Sequence, residues 1–266
     1  MQPPPARTAT IDVIRIAAGV TSSGGDAVVV EEPLEIRVGD KPVSVTMRTP
    51  GDDFELAAGF LFTEGIVGGA DDIDSIRHWG SPNVVRVALR EGVKVDLQRL
   101  QRHFYATSSC GVCGKTSIEA VRVNATPITS EVRIESRVLA RISDDLRAAQ
   151  TTFDATGGIH GVGVFAADGT LLRVREDIGR HNAVDKVIGS FLLERAPLNE
   201  RVLFVSGRTS FEILQKAIVA RIPIVAAVGA PSSLAVELAQ EFGVTLIGFV
   251  REGRFNMYAH EGRVGG

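Results

Sequence analysis

Val202-Leu203-Phe204-Val205-Ser206-Gly207-Arg208-Thr209-Ser210-Phe211 opens the stretch that decides the fold. Four apolar residues run without alternation into a glycine-containing turn, and a helical pattern follows. The spacing predicts a buried strand over Val202–Ser206, a turn over Gly207-Arg208-Thr209-Ser210 and a helix over Phe211–Ala220, with Thr209 and Glu212 spaced as a capping box. The unit then repeats. Ile224–Val228 reads as a strand, Ala230-Pro231-Ser232-Ser233 as a turn, Leu234–Phe242 as a helix and Val244–Val250 as a third strand. Apolar strands alternating with helices predict a buried, mostly parallel sheet with helical crossovers.

Ligands of such sheets bind beyond the carboxyl ends of the strands. That rule places Gly207, Arg208, Thr209 and Ser210 on one candidate edge with Phe249-Val250-Arg251-Glu252-Gly253-Arg254. Helix N-termini offer free N–H groups and partial positive charge to an anion. Arg251 and Arg254 add guanidinium groups able to grip phosphate bidentately. Helix capping alone also accounts for each Ser and Thr. Two further polar stretches lie upstream. In Thr156-Gly157-Gly158-Ile159-His160-Gly161, His160 is a candidate proton donor or ligand contact, and equally a satisfied histidine at a strand entry. Arg175-Glu176-Asp177-Ile178-Gly179-Arg180-His181-Asn182 is a second-tier site candidate, and equally a capped, solvated helix start. The glycines do not form a GxGxxG before a helix, so no dinucleotide fingerprint is present.

Working outward, Arg137–Thr152 and Ala183–Arg195 read as helices, and Gly161–Ala166 and Thr170–Val174 as a hairpin around Asp168-Gly169. The first half is strand-rich. Glu32–Val38 and Val43–Arg48 flank a hairpin turn, Asp53–Thr63 reads as a helix with Gly65 at its stop, and Val84–Leu89 and Thr116–Val123 read as strands. The polar passage 124–133 is the candidate boundary. The expected organisation is an N-terminal tail and lead-in over 1–28, a strand-rich domain over 29–130 and an α/β domain over 131–266.

The chain has 266 residues, 44% of them hydrophobic, and a net charge of -3, which argues against general nucleic-acid or anionic-membrane binding. It shows neither a secretory h-region nor a membrane-length apolar run, so a cytoplasmic location is expected. Its 2 cysteines stand in Thr107-Ser108-Ser109-Cys110-Gly111-Val112-Cys113-Gly114-Lys115, a small, polar, glycine-rich segment unlike a packing environment. CxxC spacing often lowers one thiol's pKa, and two thiols so placed can exchange sulfur. A redox disulfide remains an alternative on spacing. A closed zinc site is disfavoured, because His78, His103, His160, His181 and His260 lack paired spacing and no metal is expected.

Eight strings in one order resemble the FdhD family. They are EEPLEIRV at 31–38, RTPGDDFELAAGFLFTEGI at 48–66, SSCGVCGK at 108–115, TGGIH at 156–160, REDIGRHNAVDKVIG at 175–189, SGRTSFEILQKA at 206–217, APSSLAVELA at 230–239 and GFVREGRFNMY at 248–258. The resemblance implies a C-terminal cytidine-deaminase-like three-layer core with a mixed sheet, α/β within an α+β whole. It implies a sulfur carrier, a sulfurtransferase that accepts sulfur from a cysteine desulfurase as a cysteine persulfide. The sulfur then passes to the molybdenum cofactor, bis-molybdopterin guanine dinucleotide, before that cofactor enters formate dehydrogenase. Cys110 is then the persulfide carrier and Cys113 its partner thiol. The segment from Phe249 to Arg254 faces the cofactor, Gly207 to Ser210 serve its nucleotide end, a guanine nucleotide is a mimic, and the protein is a homodimer. The alternatives are a cofactor-binding chaperone without obligatory sulfur transfer and a thiol oxidoreductase. A nucleoside deaminase is rejected, because the HxE and PCxxC halves of its zinc site are missing.

Overall fold

Apolar residues that alternate along strands Val202–Val205 (β10), Ile224–Ala227 (β11) and Thr245–Arg251 (β12) divide the core into two layers. Leu203, Val205, Val225, Ala227 and Leu246 face one way, and Val202, Phe204, Ile224, Ala226 and Ile247 the other, all fully buried. The computed structural model that shows this describes residues 5–93 and 125–266. β10, β11 and β12 pair in parallel. Antiparallel neighbours extend the sheet on both sides: His160–Phe165 (β8) beside β10, Leu171–Asp177 (β9) beside β8, and Arg254–Ala259 (β13) beside β12. The six-stranded order is β13-β12-β11-β10-β8-β9, so the expected mostly parallel sheet is mixed at both flanks. The short strands Ile134–Glu135 (β7) and Val264–Gly265 (β14) pair in parallel as a separate ladder.

Helices cover both faces, which makes three layers. One layer holds the helices Arg180–Leu193, Phe211–Val219 and Ser233–Phe242, and the other Ser136–Leu139, Ile142–Ala149 and Thr151–Thr156. In chain order, with the N-terminal helix Asp53–Thr63 as α1, they are α2 (136–139), α3 (142–149), α4 (151–156), α5 (180–193), α6 (211–219) and α7 (233–242). The expected single helix over 137–152 is therefore three short ones. Its restart has a distant cause: the Glu176 carboxylate accepts hydrogen bonds of 2.9 Å from the N–H groups of both Thr152 and Phe153. A cap from a residue 24 positions away leaves no local signature.

The N-terminal half contains a second sheet of order β4-β3-β6-β5, formed by Glu32–Val38 (β3), Lys41–Arg48 (β4), Ile73–Trp79 (β5) and Ser81–Leu89 (β6). α1 closes its inner face over Leu34, Ile36, Val85 and Val87. The hairpin and α1 match the sequence expectation; β5 falls in the stretch that carries little pattern. Residues 8–17 (β1) and 20–29 (β2) form an antiparallel hairpin not foreseen in the lead-in. The expected strand at 116–123 lies outside the described residues.

The two sheets are joined by a helix crossing and a buried polar network. α1 meets α5 at Gly59 and Gly189: a Cβ on Gly59 would stand 1.9 Å from Asp185 O, and one on Gly189 1.9 Å from Glu55 O. Only glycine permits that approach. Beside it, Lys186 Nζ lies 2.8 Å from Asp177 Oδ2, both side chains at 0% exposure, and donates to Thr49 O at 2.8 Å. Asp177 also accepts from the N–H groups of Thr49 (3.1 Å) and Gly179 (2.8 Å) and from Asn182 Nδ2 (3.0 Å). A second knot ties Lys216 of α6 to Asp185 (2.9 Å), Glu64 (3.0 Å) and Thr63 (3.0 Å). Buried charges are tolerated because each is paired and hydrogen-bonded. The Thr49–Asp52 turn and the Glu176–Asn182 turn are thus one clamp between the halves of the molecule. No helix among the described residues is long and apolar enough to cross a membrane.

Candidate functional site

The parallel strands end on one edge, as their direction requires. β10 runs into Ser206–Ser210, β11 into Val228–Ser232, and β12 into a bulge at Phe249. The turns are laced together by backbone bonds: Gly229 N donates to Gly207 O (3.0 Å), Thr209 N to Ala230 O (3.2 Å), Ser232 N to Thr209 O (3.0 Å) and Phe249 N to Gly229 O (3.2 Å). A Cβ on Gly229 would meet Gly207 O at 3.0 Å and Arg208 Cα at 3.1 Å, so the turns pack backbone on backbone.

β8 and α5 bring two histidines and an arginine to the same edge. A Cβ on Gly207 would stand 2.9 Å from Arg180 Cδ and 3.6 Å from His160 Nδ1. His181 Nε2 lies 3.3 Å from Ser210 Oγ and 3.8 Å from the Glu212 carboxylate. Burial lowers the His160 pKa, with Arg180 adding to the effect and Asp177 opposing it. Burial also lowers His181, to about 4, helped by Lys216 and opposed by Glu212. Both rings are therefore neutral at pH 7. Burial works against the Lys216 charge, but Asp185 and Glu64 more than offset it and hold that pKa above its ordinary value. Asp185 is pushed up to about 6 by burial, against the pull of Lys216.

The expected capping box does not form. α6 begins at Phe211, so Ser210 occupies the N-cap, without a side-chain capping bond, and Glu212 sits in the first turn facing His181. Thr209 is buried, and its Oγ1 has no hydrogen-bond partner among the described residues. At the neighbouring turn Ser232 does cap its helix: its Oγ accepts from Ala235 N at 3.3 Å.

Arg251, Glu252, Gly253 and Arg254 form the exposed β12–β13 hairpin tip. Glu252 (φ 51) and Gly253 (φ 74) make its two-residue turn, and Arg254 pairs with Glu252 at 3.0 Å in solvent. Phe249, at φ 56, is a bulky residue in left-handed backbone, held there by the bulge and the bond to Gly229. Val250 is fully buried in the core and contributes packing. Arg208 is exposed beside Gly229. Thus Gly207–Ser210, His160 and Phe249 converge, and Arg251 and Arg254 stand at the outer end of the same strand edge.

The second-tier stretch 175–182 divides. Glu176, Asp177 and Asn182 are consumed by the buried clamp, which corrects the picture of a solvated helix start. Arg180 and His181 project to the edge instead. These two belong to the stretch that the sequence marks as a second-tier candidate, whose signal was the density of Arg, His and Asn in front of a helix. Cys110 and Cys113, with Lys115, lie outside the described residues. Among the described residues, no three His, Asp or Glu side chains group as metal ligands. Two cavities, of 350 and 370 Å³, lie away from this edge, one by Arg133 and Arg263 and one by Phe62 and Leu198.

The fold and site define a three-layer α/β protein whose parallel strand ends present helix N-termini, arginines and neutral histidines, an arrangement suited to an anionic ligand. The chain belongs to the FdhD/NarQ family, whose sequence profile matches residues 29–265. It is 51% identical over 264 residues to the sulfur carrier protein FdhD of Streptomyces avermitilis, covering 95% of this chain and 94% of that one. It is 52% identical to the protein of that name from Mycolicibacterium paratuberculosis (95% and 97% covered) and 40% identical to that of Sulfolobus acidocaldarius (96% and 97%). The crystal structure of a protein assigned as a formate dehydrogenase accessory protein, from Desulfotalea psychrophila, superposes with a TM-score of 0.80 at 26% identity, covering 97% of this chain and all of that one.

Proposed function

We propose that this chain is a sulfur carrier. It accepts sulfur from a cysteine desulfurase as a persulfide on Cys110 and passes it to the molybdenum cofactor, bis-molybdopterin guanine dinucleotide, before that cofactor enters formate dehydrogenase. The observation that carries this reading is identity of about half across nearly the full length of relatives named sulfur carrier protein FdhD. The strand edge supports it by its chemistry, because arginines and helix N-termini suit the pyrophosphates of a dinucleotide. In this reading the protein is a homodimer working in the cytoplasm.

The Cys110 thiolate attacks the outer sulfur of the donor's persulfide, and the donor cysteine leaves as a thiolate, so no net oxidation occurs. Attack of the Cys113 thiolate on the Cys110 sulfur then forms the Cys110–Cys113 disulfide and expels hydrosulfide. The carried sulfur gains the two electrons that the new disulfide loses, and a cellular dithiol resets the pair. Arg251, Arg254 and the Gly207–Ser210 turn hold the nucleotide ends of the cofactor, with His160 beside them.

Separation of the two tasks tests this. Cys110→Ala abolishes sulfur transfer and leaves binding of a guanine nucleotide, read by calorimetry, unchanged. Replacing Arg251 and Arg254 together by Ala weakens nucleotide binding and leaves persulfide loading intact. Full activation of formate dehydrogenase by Cys110→Ala would remove the carrier and leave a cofactor-binding chaperone.

A further inference from the structure

The outer face of the N-terminal sheet holds an arrangement that folding alone does not favour. Register places Arg37 opposite Arg86 across β3–β6, and Arg86 opposite Arg77 across β6–β5. Three arginines therefore stand in one cross-strand row, although like charges directly opposite destabilise a sheet. Acids compensate only two of them: Glu35 lies 2.6 Å from Arg37, and Asp40 lies 3.0 Å from Arg86. Arg77 is exposed and has no carboxylate partner among the described residues. The Trp79 ring packs against two of the guanidinium groups, that of Arg86 at 4.4 Å and that of Arg77 at 5.1 Å from its centroid. Trp79 is itself 46% exposed, and beside it the same face presents Val84 and, across Glu35, the 44% exposed Val45.

We propose that this face is a docking site for an acidic segment of a protein partner. Tryptophan and arginine are the residues most enriched at the energetic centres of protein interfaces. Stacking on Trp79 holds the guanidinium groups in place before a carboxylate arrives, which reduces the ordering cost of binding. A single row of three arginines is too short to follow a nucleic-acid backbone on a chain of net charge -3, while the uncompensated Arg77 suits a carboxylate or two. Its apolar row suits a side chain flanked by acidic residues. The proposal is independent of the sulfur-transfer reading.

Trp79 is the one tryptophan in the sequence, so its emission reports on this face alone. The full chain is titrated with a short polyglutamate peptide carrying one central leucine. The expected result is a saturable change in Trp79 emission that weakens with salt and is absent with the polylysine counterpart. Affinity falls about tenfold in the Arg77→Gln, Arg86→Gln double variant. Arg77→Gln alone, at an exposed position, gives a smaller loss in the same direction and serves if the double variant fails to fold. No saturable response, or an unchanged response in Arg77→Gln, overturns the proposal. Tighter binding of a short oligouridylate would assign the face to nucleic acid instead.

Discussion

The turns Glu176–Asn182 and Ser206–Ser210 are both polar, yet the first commits Glu176, Asp177 and Asn182 to the buried clamp while the second leaves Arg208 and Thr209 Oγ1 without partners among the described residues. In the first, Asp177 meets Lys186, Thr49, Gly179 and Asn182, and Glu176 caps α4. In the second, Arg208 is exposed, Thr209 Oγ1 lacks a partner among the described residues, and Ser210 makes no capping bond. Density of charge in a sequence therefore does not mark a ligand site. What marks one is polar capacity that the protein itself leaves unused, and that becomes visible only when the partners are known.

The sharpest break in this comparison comes from Asp177→Ala. It leaves the Lys186 ammonium buried with Thr49 O as its one remaining partner among the described residues, and is expected to cost about 3–5 kcal/mol. Denaturant unfolding reads this loss. A change below 1 kcal/mol would mean that the clamp does not hold the two sheets together.

A smaller effect is expected from His181→Asn. The folded-state pKa of His181 lies near 4, below its ordinary 6.5, so its neutral form contributes stability that is present above pH 6.5 and lost as pH falls toward 4. Asp185 acts oppositely: its folded pKa is raised to about 6, so its protonation in the fold adds stability over the lower part of that range. The variant loses the His181 effect and keeps those of Asp185 and of His160, whose pKa is also lowered by burial, so its stability falls less than the parent's between pH 6.5 and 4. The His181 side chain is 40% exposed, which keeps the difference modest. Parallel curves for the two proteins would show that His181 does not sense acid.

The smallest effect on stability is expected from Arg208→Ala, within about 0.5 kcal/mol, because the side chain is exposed and spends nothing on the fold. Guanine nucleotide binding should nevertheless weaken. The opposite pattern, lost stability with retained binding, would make Ser206–Ser210 a structural turn like its neighbour.

How much of this was legible depended on the range of the interactions. The β10–α6–β11–α7–β12 order, the hairpin at Gly39-Asp40 and helix α1 follow from local patterning, and the structure shows each of them. The three-way break of the 137–152 segment was not legible, because its cause is a carboxylate across the sheet. The β1–β2 hairpin was not legible because Ile11 and Val13 alternate on one phase and Ile14 and Ile16 on the other, and the latter two, at 74% exposure, face no core. At the site, glycines and arginines at strand ends pointed to Gly207–Ser210 and Phe249–Arg254. The polar stretch 175–182 pointed to Arg180 and His181 as second-tier candidates, but which of its residues face the edge depends on α5 being clamped by Asp177 and Asn182 behind them.

The central claim is that Cys110 carries sulfur. Purified protein is incubated with an active cysteine desulfurase and free cysteine, its intact mass is recorded, and the peptide spanning Cys110 and Cys113 is mapped. The account predicts one added sulfur atom on Cys110, removed by reductant. An unchanged mass, from a desulfurase shown to be working, would contradict it.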